Sequence, residues 1–490
     1  MDQILFMLKT IPEYASLVEG MKLGQPAAVT GIGQINRSHI IAGLSADVKK
    51  PLVILVQDDM AAHRMQEELK CFLHTDAPIL PSRDLTLYDA AVVSRAWEQK
   101  RLRQLYALGR GDTPIQIMSW ESASQRTLPP AVLSAATLHL ETGKEYSVDK
   151  LVSALVSAGY SRCGMVEGVG QFAVRGGIVD LFSPAEEKPV RMEFFGDELD
   201  TMGYFDPGTQ RREENITAAT ILPISETLPH RHPGGMEGLC KDLRNLISRQ
   251  RRHKNINEPL IATLSKDLEK YENELHNTAS DRYMSLIYPE FSCALDYVSR
   301  DSILVLCDHS SLQRAAKTRT EELGMQLDSM LQAGLVVGEL CDFALQWEDF
   351  CTRLRGKTVA YFDAFGGSAY PDDCLPKQLL PITAKQLPGY GGSMDTVVSD
   401  LKYYQKMEFG SMVLCGTRRR AELLQQMLQE KGVGAFLCIP LTTLPKPGQI
   451  LLCEGTLPYG MEYPMSKLAV LTEGQMIAKS EPRRKAKKTG

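Results

Sequence analysis

A chain of 490 residues is too long for one hydrophobic core, and its length points to about three domains. Its 43% hydrophobic and 23% charged content is that of an ordinary globular protein, and no apolar run approaches the roughly 20 residues that span a bilayer. A net charge of −5 excludes a global nucleic-acid footprint, so any DNA contact needs a local patch. The opening MDQILFMLKTIPEY lacks a basic segment followed by an apolar core and a small-residue cleavage site, so a cytoplasmic protein is expected. The 11 cysteines are scattered without CxxC or Cys/His clusters, which reads as reduced core cysteine and no metal site.

In chain order, Leu5, Leu8, Ile11, Tyr14, Leu17 and Met21 give residues 1–25 helical spacing. AAVTGIGQINRSHIIAGL then reads as strand, glycine turn and helix. Pro51–Gln57 reads as a buried strand, Asp59–Phe72 as a helix and residues 114–120 as another strand, a parallel α/β unit. The turn at Gly31–Ser38 invites comparison with a phosphate loop. GxxxxGK[ST] supplies a lysine for the β- and γ-phosphates and a hydroxyl for magnesium. In TGIGQINRS no lysine follows a glycine, and Asn36, Arg37 and Ser38 stand at the critical positions beyond Gly31 and Gly33. A backbone nest able to hold an anion weakly is what remains.

Residues 147–160 read as a short helix with Val148, Leu151, Val152, Leu155 and Val156 in one stripe and Ser147 as N-cap. Gly170–Pro207 follows, short alternating runs separated by Gly-Gly, Ser-Pro-Ala and Gly-Asp, the punctuation of antiparallel strands. Neighbouring side chains of a strand point to opposite faces. Val190, Met192 and Phe194 therefore share one face, and Arg191, Glu193 and Phe195 the other. Phe172 and Val174 oppose Gln171, Ala173 and Arg175. Two arginines and an aromatic facing outward have the composition of a protein-binding hot spot. The same pattern also fits a phenylalanine covering a neighbouring loop beside solvated arginines.

Two helices are expected between Met236 and Leu275, with Arg249–Lys254 in the loop between them, either solvated or touching phosphate. DSILVLCDHSS has the shape of an apolar strand delivering an acidic magnesium ligand, Asp308. His309 takes the place of the glutamate that would activate water. A helix is expected over 312–324. The Gly/Pro-rich 366–381 marks a boundary, and a compact α/β domain follows, with Arg418–Arg420 opening one of its helices against the dipole. KSEPRRKAKKTG reads as a basic linker whose abrupt end suggests that a longer chain continues.

These segments together resemble the amino-terminal region of the bacterial transcription-repair coupling factors, the Mfd family. The decayed loop TGIGQINRS, the pair RGGIVDLF and VRMEFFGDELD, and the decayed LCDHSS carry the resemblance with LPGYGGSM and SKLAVLTE. The pair also looks like the UvrA-binding domain of the excision-repair protein UvrB. The resemblance implies a multidomain α/β fold: a degenerate helicase-like, UvrB-like parallel-sheet domain with an inserted α+β UvrA-binding domain, plus a small α/β domain. The boundaries expected are 1–143, 144–228 (the insert), 229–365, 366–475 and a linker over 476–490. It implies DNA repair, a monomer that recruits UvrA to stalled RNA polymerase, with Arg175, Arg191 and Phe195 as the UvrA-contacting residues. No catalytic residue, metal or cofactor is implied for this chain. ATP, magnesium, RNA polymerase and double-stranded DNA would be handled by a translocase motor and other domains beyond residue 490. The alternative is a UvrB-type, ATP-dependent damage-recognition protein, from whose GxxxxGKT and Asp-Glu-Ser-His motifs this sequence departs.

Overall fold

Buried apolar runs ending at glycine or a small polar residue build the first layers of the computed structural model, which describes residues 2–88, 96–253, 256–275, 277–367 and 369–476. The first amphipathic stretch is broken at Pro12 into α1 (Asp2–Phe6) and α2 (Pro12–Lys22), because proline at a first helical position cannot continue a preceding helix. Strands and helices then alternate: β1 (Ala27–Thr30), α3 (Gln34–Val48), β2 (Leu52–Val56), α4 (Asp59–Leu73), β3 (Ile79–Leu80), α5 (Ala96–Arg110) and β4 (Ile115–Ser119). Two short helices, α6 (Trp120–Ser124) and α7 (Pro130–Ala136), lead away from the sheet.

The chain next forms β5 (Leu138–Glu141), α8 (Val148–Ser157), β6 (Ser161–Arg162), β7 (Gln171–Arg175), β8 (Ile178–Leu181), β9 (Val190–Phe195), β10 (Glu198–Phe205), β11 (Arg212–Ile216) and β12 (Ala218–Ile221). β6 to β11 make one sheet in sequence order, and β5 pairs antiparallel with β12. Leu151 and Leu155 of α8 pack on Phe172, Val179, Leu181, Val190, Met192 and Met202, the inward rows of that sheet. This unit thus begins at Leu138 rather than at the expected 144.

Helices α9 (Gly235–Arg251), α10 (Glu258–Glu272) and α11 (Met284–Ile287) bring the chain back. Arg249 to Arg251 are the last turn of α9 and not a loop; Lys254 lies outside the described residues. β13 (Ile303–Cys307), α12 (His309–Gln332), α13 (Trp347–Arg353), β14 (Thr358–Asp363) and β15 (Gln378–Pro381) complete a seven-stranded sheet in the order β15-β1-β14-β13-β2-β4-β3, every pair parallel. Its inner strands are buried on both faces, as a parallel sheet between helical layers requires: Val53 and Leu55 enter one core, Leu52 and Ile54 the other.

β15 belongs to this sheet, so the boundary expected at 366 moves to Lys385. The prolines that suggested a boundary precede and end an edge strand, where a missing N–H costs least. The remaining elements are β16 (Lys385–Gln386), α14 (Met394–Lys406), β17 (Gly410–Cys415), α15 (Arg418–Glu430), β18 (Phe436–Leu437), β19 (Ile450–Glu454), β20 (Met461–Tyr463), β21 (Leu468–Thr472) and α16 (Glu473–Met476). They form a sheet ordered β16-β20-β21-β17-β19-β18. Met412, Leu414, Leu451 and Val470 of that sheet share a core with Ile4, Met7, Ile35, Ile40, Leu52 and Ile54, so two of the sheets have one core in common. All eleven cysteines are unpaired, and no helix among the described residues is long and apolar enough to cross a membrane.

A candidate protein-binding face

Two glycine turns at the same end of the β6–β11 sheet set up the face. Gly176, with φ of 60°, turns Arg175 into Ile178, and a Cβ on Gly177 would lie 2.7 Å from the Phe194 carbonyl oxygen. Gly196, with φ of 64°, turns Phe195 into Glu198. Register places Ala173, Asp180, Arg191 and Gly203 in one row across the sheet, and Arg175, Ile178, Glu193 and Thr201 in the next. Phe195 continues the outward side of β9 at its end, where its side chain is 83% exposed.

Within this outward row Asp180 is fully buried, which a carboxylate tolerates only when paired. Arg191 grips it twice, Nε donating to Oδ1 at 2.7 Å and Nη2 to Oδ2 at 2.9 Å, and Arg175 Nη2 donates to Oδ2 at 2.5 Å. Arg191 also donates from Nη1 to the Gln210 carbonyl at 3.1 Å, and its guanidinium lies 4.6 Å over the Phe205 ring. The bonds to Asp180 raise its pKa further. Its side chain is accordingly 17% exposed, against 49% for Arg175. The structure brings the two arginines together on one buried acid and sets Phe195 at the hairpin end of the same face.

The glycine turn after β1 has a different surrounding. Gly31 has φ of 81°, and a Cβ there would meet the Ile382 carbonyl at 2.7 Å. The segment after β15 lies along the turn: Ile382 N–H donates to Thr30 and Ala384 N–H to Gly31. Gln386 packs on Gly33, and its Oε1 accepts from the Ile35 N–H at 3.4 Å. Asn36 and Ser38 are fully buried in α3, with the half-buried Arg37 between them. The Ser38 hydroxyl donates to Glu68 Oε2 at 2.5 Å and Gln34 Nε2 to Oε1 at 2.7 Å, while burial raises the Glu68 pKa. Asp308, with φ of 59°, caps α12 by accepting from Ser311 N–H at 3.2 Å. His309 is buried among Trp347, Tyr361 and Tyr370, its pKa lowered by burial; its backbone N–H donates to Asp363 Oδ1 at 2.8 Å. A helix start already bonded by Gln386, a hydroxyl committed to Glu68 and no lysine do not fit a bound nucleotide and its magnesium.

Residues 138–226 match the family model described as the UvrB interaction domain. Over a 496-residue alignment the chain is 25% identical to the transcription-repair-coupling factor of Bacillus subtilis, covering 99% of this chain and 41% of that protein. The counterpart of Staphylococcus haemolyticus is 25% identical, over 95% of this chain and 39% of its own length. That of Myxococcus xanthus is 26% identical, over 97% and 41%. The chain is similar to the transcription-repair-coupling factors of these three bacteria. It spans about two fifths of their length, the amino-terminal part.

The UvrB interaction domain match ends within a few residues of the β5–β12 unit on either side, so the outward face lies inside it. Strand alternation alone misses Asp180, because a polar residue in an outward row reads as solvated. It also misses Gln386 and Glu68, whose partners are 351 and 30 residues away. Of the remaining basic candidates, Arg249 pairs with Glu339, Arg418 with Glu422 and Arg420 with Glu473.

Proposed function

We propose that this chain is a non-catalytic recruitment module that binds UvrA through the face of Arg175, Arg191 and Phe195. The observation that carries this reading is a phenylalanine 83% exposed and a half-exposed arginine at the same end of one sheet, inside the UvrB interaction domain. Aromatic and arginine side chains are the residues that dominate binding energy at protein interfaces. The seven-stranded sheet is read as a degenerate helicase-like, UvrB-like domain with residues 138–221 inserted, a reading supported by the glycine turn at the carboxyl end of β1. In a whole coupling factor of the kind this chain resembles, the module would act in the cytoplasm and bring UvrA to stalled RNA polymerase. The ATP-dependent translocase acting on double-stranded DNA would lie in the part of the relatives that this chain does not cover. The alternative, a UvrB-type ATP-dependent damage verifier, is disfavoured by Gln386 lying on the turn that would have to receive phosphate.

Calorimetric titration of the chain with UvrA tests the reading. Phe195→Ala and Arg175→Ala are each expected to weaken binding by about 1–3 kcal/mol. Wild-type affinity in the double variant would reject the face, and no binding by the unaltered chain would reject the partner.

A further inference from the structure

Two guanidiniums converge on one fully buried carboxylate, and they are not equivalent. Arg191 has both its Nε and Nη2 on Asp180, its Nη1 on the Gln210 carbonyl and its plane over Phe205. Each of its three nitrogens is engaged, and the side chain is largely covered. Arg175 spends only Nη2 on Asp180, which leaves Nε and Nη1 as donors on a half-exposed side chain. It ends β7 at the Gly176–Gly177 turn, at the same end of the sheet as Phe195. Arg175, Arg191 and Asp180 together carry one net positive charge, beside the Arg212–Glu193 ion pair.

We propose that Asp180 is a positioning residue. It holds Arg175 in one rotamer, aimed at a carboxylate of the partner that flanks an apolar recess for Phe195. Arg191 is the other half of this clamp, holding both oxygens of Asp180 in place, and does not itself touch the partner. This rests on the UvrA-binding reading of the same face and assigns separate roles within it. A long arginine side chain loses rotamer freedom on binding, and a buried acid that has already fixed it lowers that cost.

A double-mutant cycle on the 490-residue chain, titrated with UvrA, reads the coupling. Asp180→Asn is expected to lower affinity tenfold or more in the wild-type background and less than twofold in the Arg175→Ala background. Arg191→Lys, which retains the charge but not the paired donors, is expected to follow the same pattern and serves where Asp180→Asn fails to fold, as judged by thermal melting. Raising salt should weaken the unaltered chain more than Arg175→Ala, as a partner carboxylate requires. Equal losses in both backgrounds would make Asp180 merely structural. No loss would remove its role, and a gain would mean that it competes with the partner; each overturns the proposal. If Arg175→Ala and Phe195→Ala both bind like wild type, the face itself fails. If they bind weakly while the cycle is additive, only the positioning role fails.

Discussion

Burying Asp180 is affordable because its oxygens meet three guanidinium N–H donors, and the stability of the outward face depends on which donor is removed. Losing Arg191 takes away two of these bonds, the Gln210 contact and the cover over Phe205, leaving the acid to Arg175 alone. Arg191→Ala is therefore expected to destabilise the chain by about 3 kcal/mol in urea denaturation, within the range for breaking a buried ion pair. Phe195→Ala removes a side chain that is 83% exposed and should change stability by less than about 0.5 kcal/mol. The pair of measurements separates loss of a contact from loss of the domain: a large stability change in Phe195→Ala would mean that its effect on binding is structural.

At the scale of elements, the glycine turn after β1 has been turned to the support of a neighbouring segment. Gly31 is both left-handed and within reach of the Ile382 carbonyl, so alanine there meets a backbone penalty of about 1–2 kcal/mol and a steric clash. Gly31→Ala should lower the unfolding free energy by about 2 kcal/mol or more in urea and leave UvrA affinity unchanged, since the turn is outside the β6–β11 sheet. Periodicity was enough to read β9, where Val190 and Met192 face the core and Arg191 and Phe195 do not. It was not enough for β15, whose Pro381 imitates a domain boundary, or for the last turn of α9, whose arginines imitate a loop. A two-residue repeat records which way a side chain points. It does not record a carboxylate reached from two other strands, nor a glutamine 351 residues downstream that bonds the helix start.

At the scale of the whole molecule, His39 of α3 lies fully buried where the two α/β sheets share a core, bonded to both α1 and β20. The Ile4 carbonyl can only accept, so Nε2 carries the proton and donates to it at 2.8 Å; Nδ1 then accepts from the Tyr463 hydroxyl at 2.8 Å. This arrangement needs a neutral ring, and burial lowers the pKa to about 4. A depressed pKa means that the folded state binds the proton less well than the unfolded chain. The stabilisation is thus complete above the ordinary histidine value and is lost as pH falls toward 4. Glu68, raised by burial, acts in the opposite sense, since acid removes a buried charge, and His309, also lowered, acts in the same sense. Comparison with His39→Gln, an uncharged side chain that still offers a donor and an acceptor, isolates the one group. Between pH 7 and pH 5 the wild type should lose about 2 kcal/mol more than this variant in urea titrations. Parallel losses would show that the junction between the sheets does not depend on a neutral imidazole.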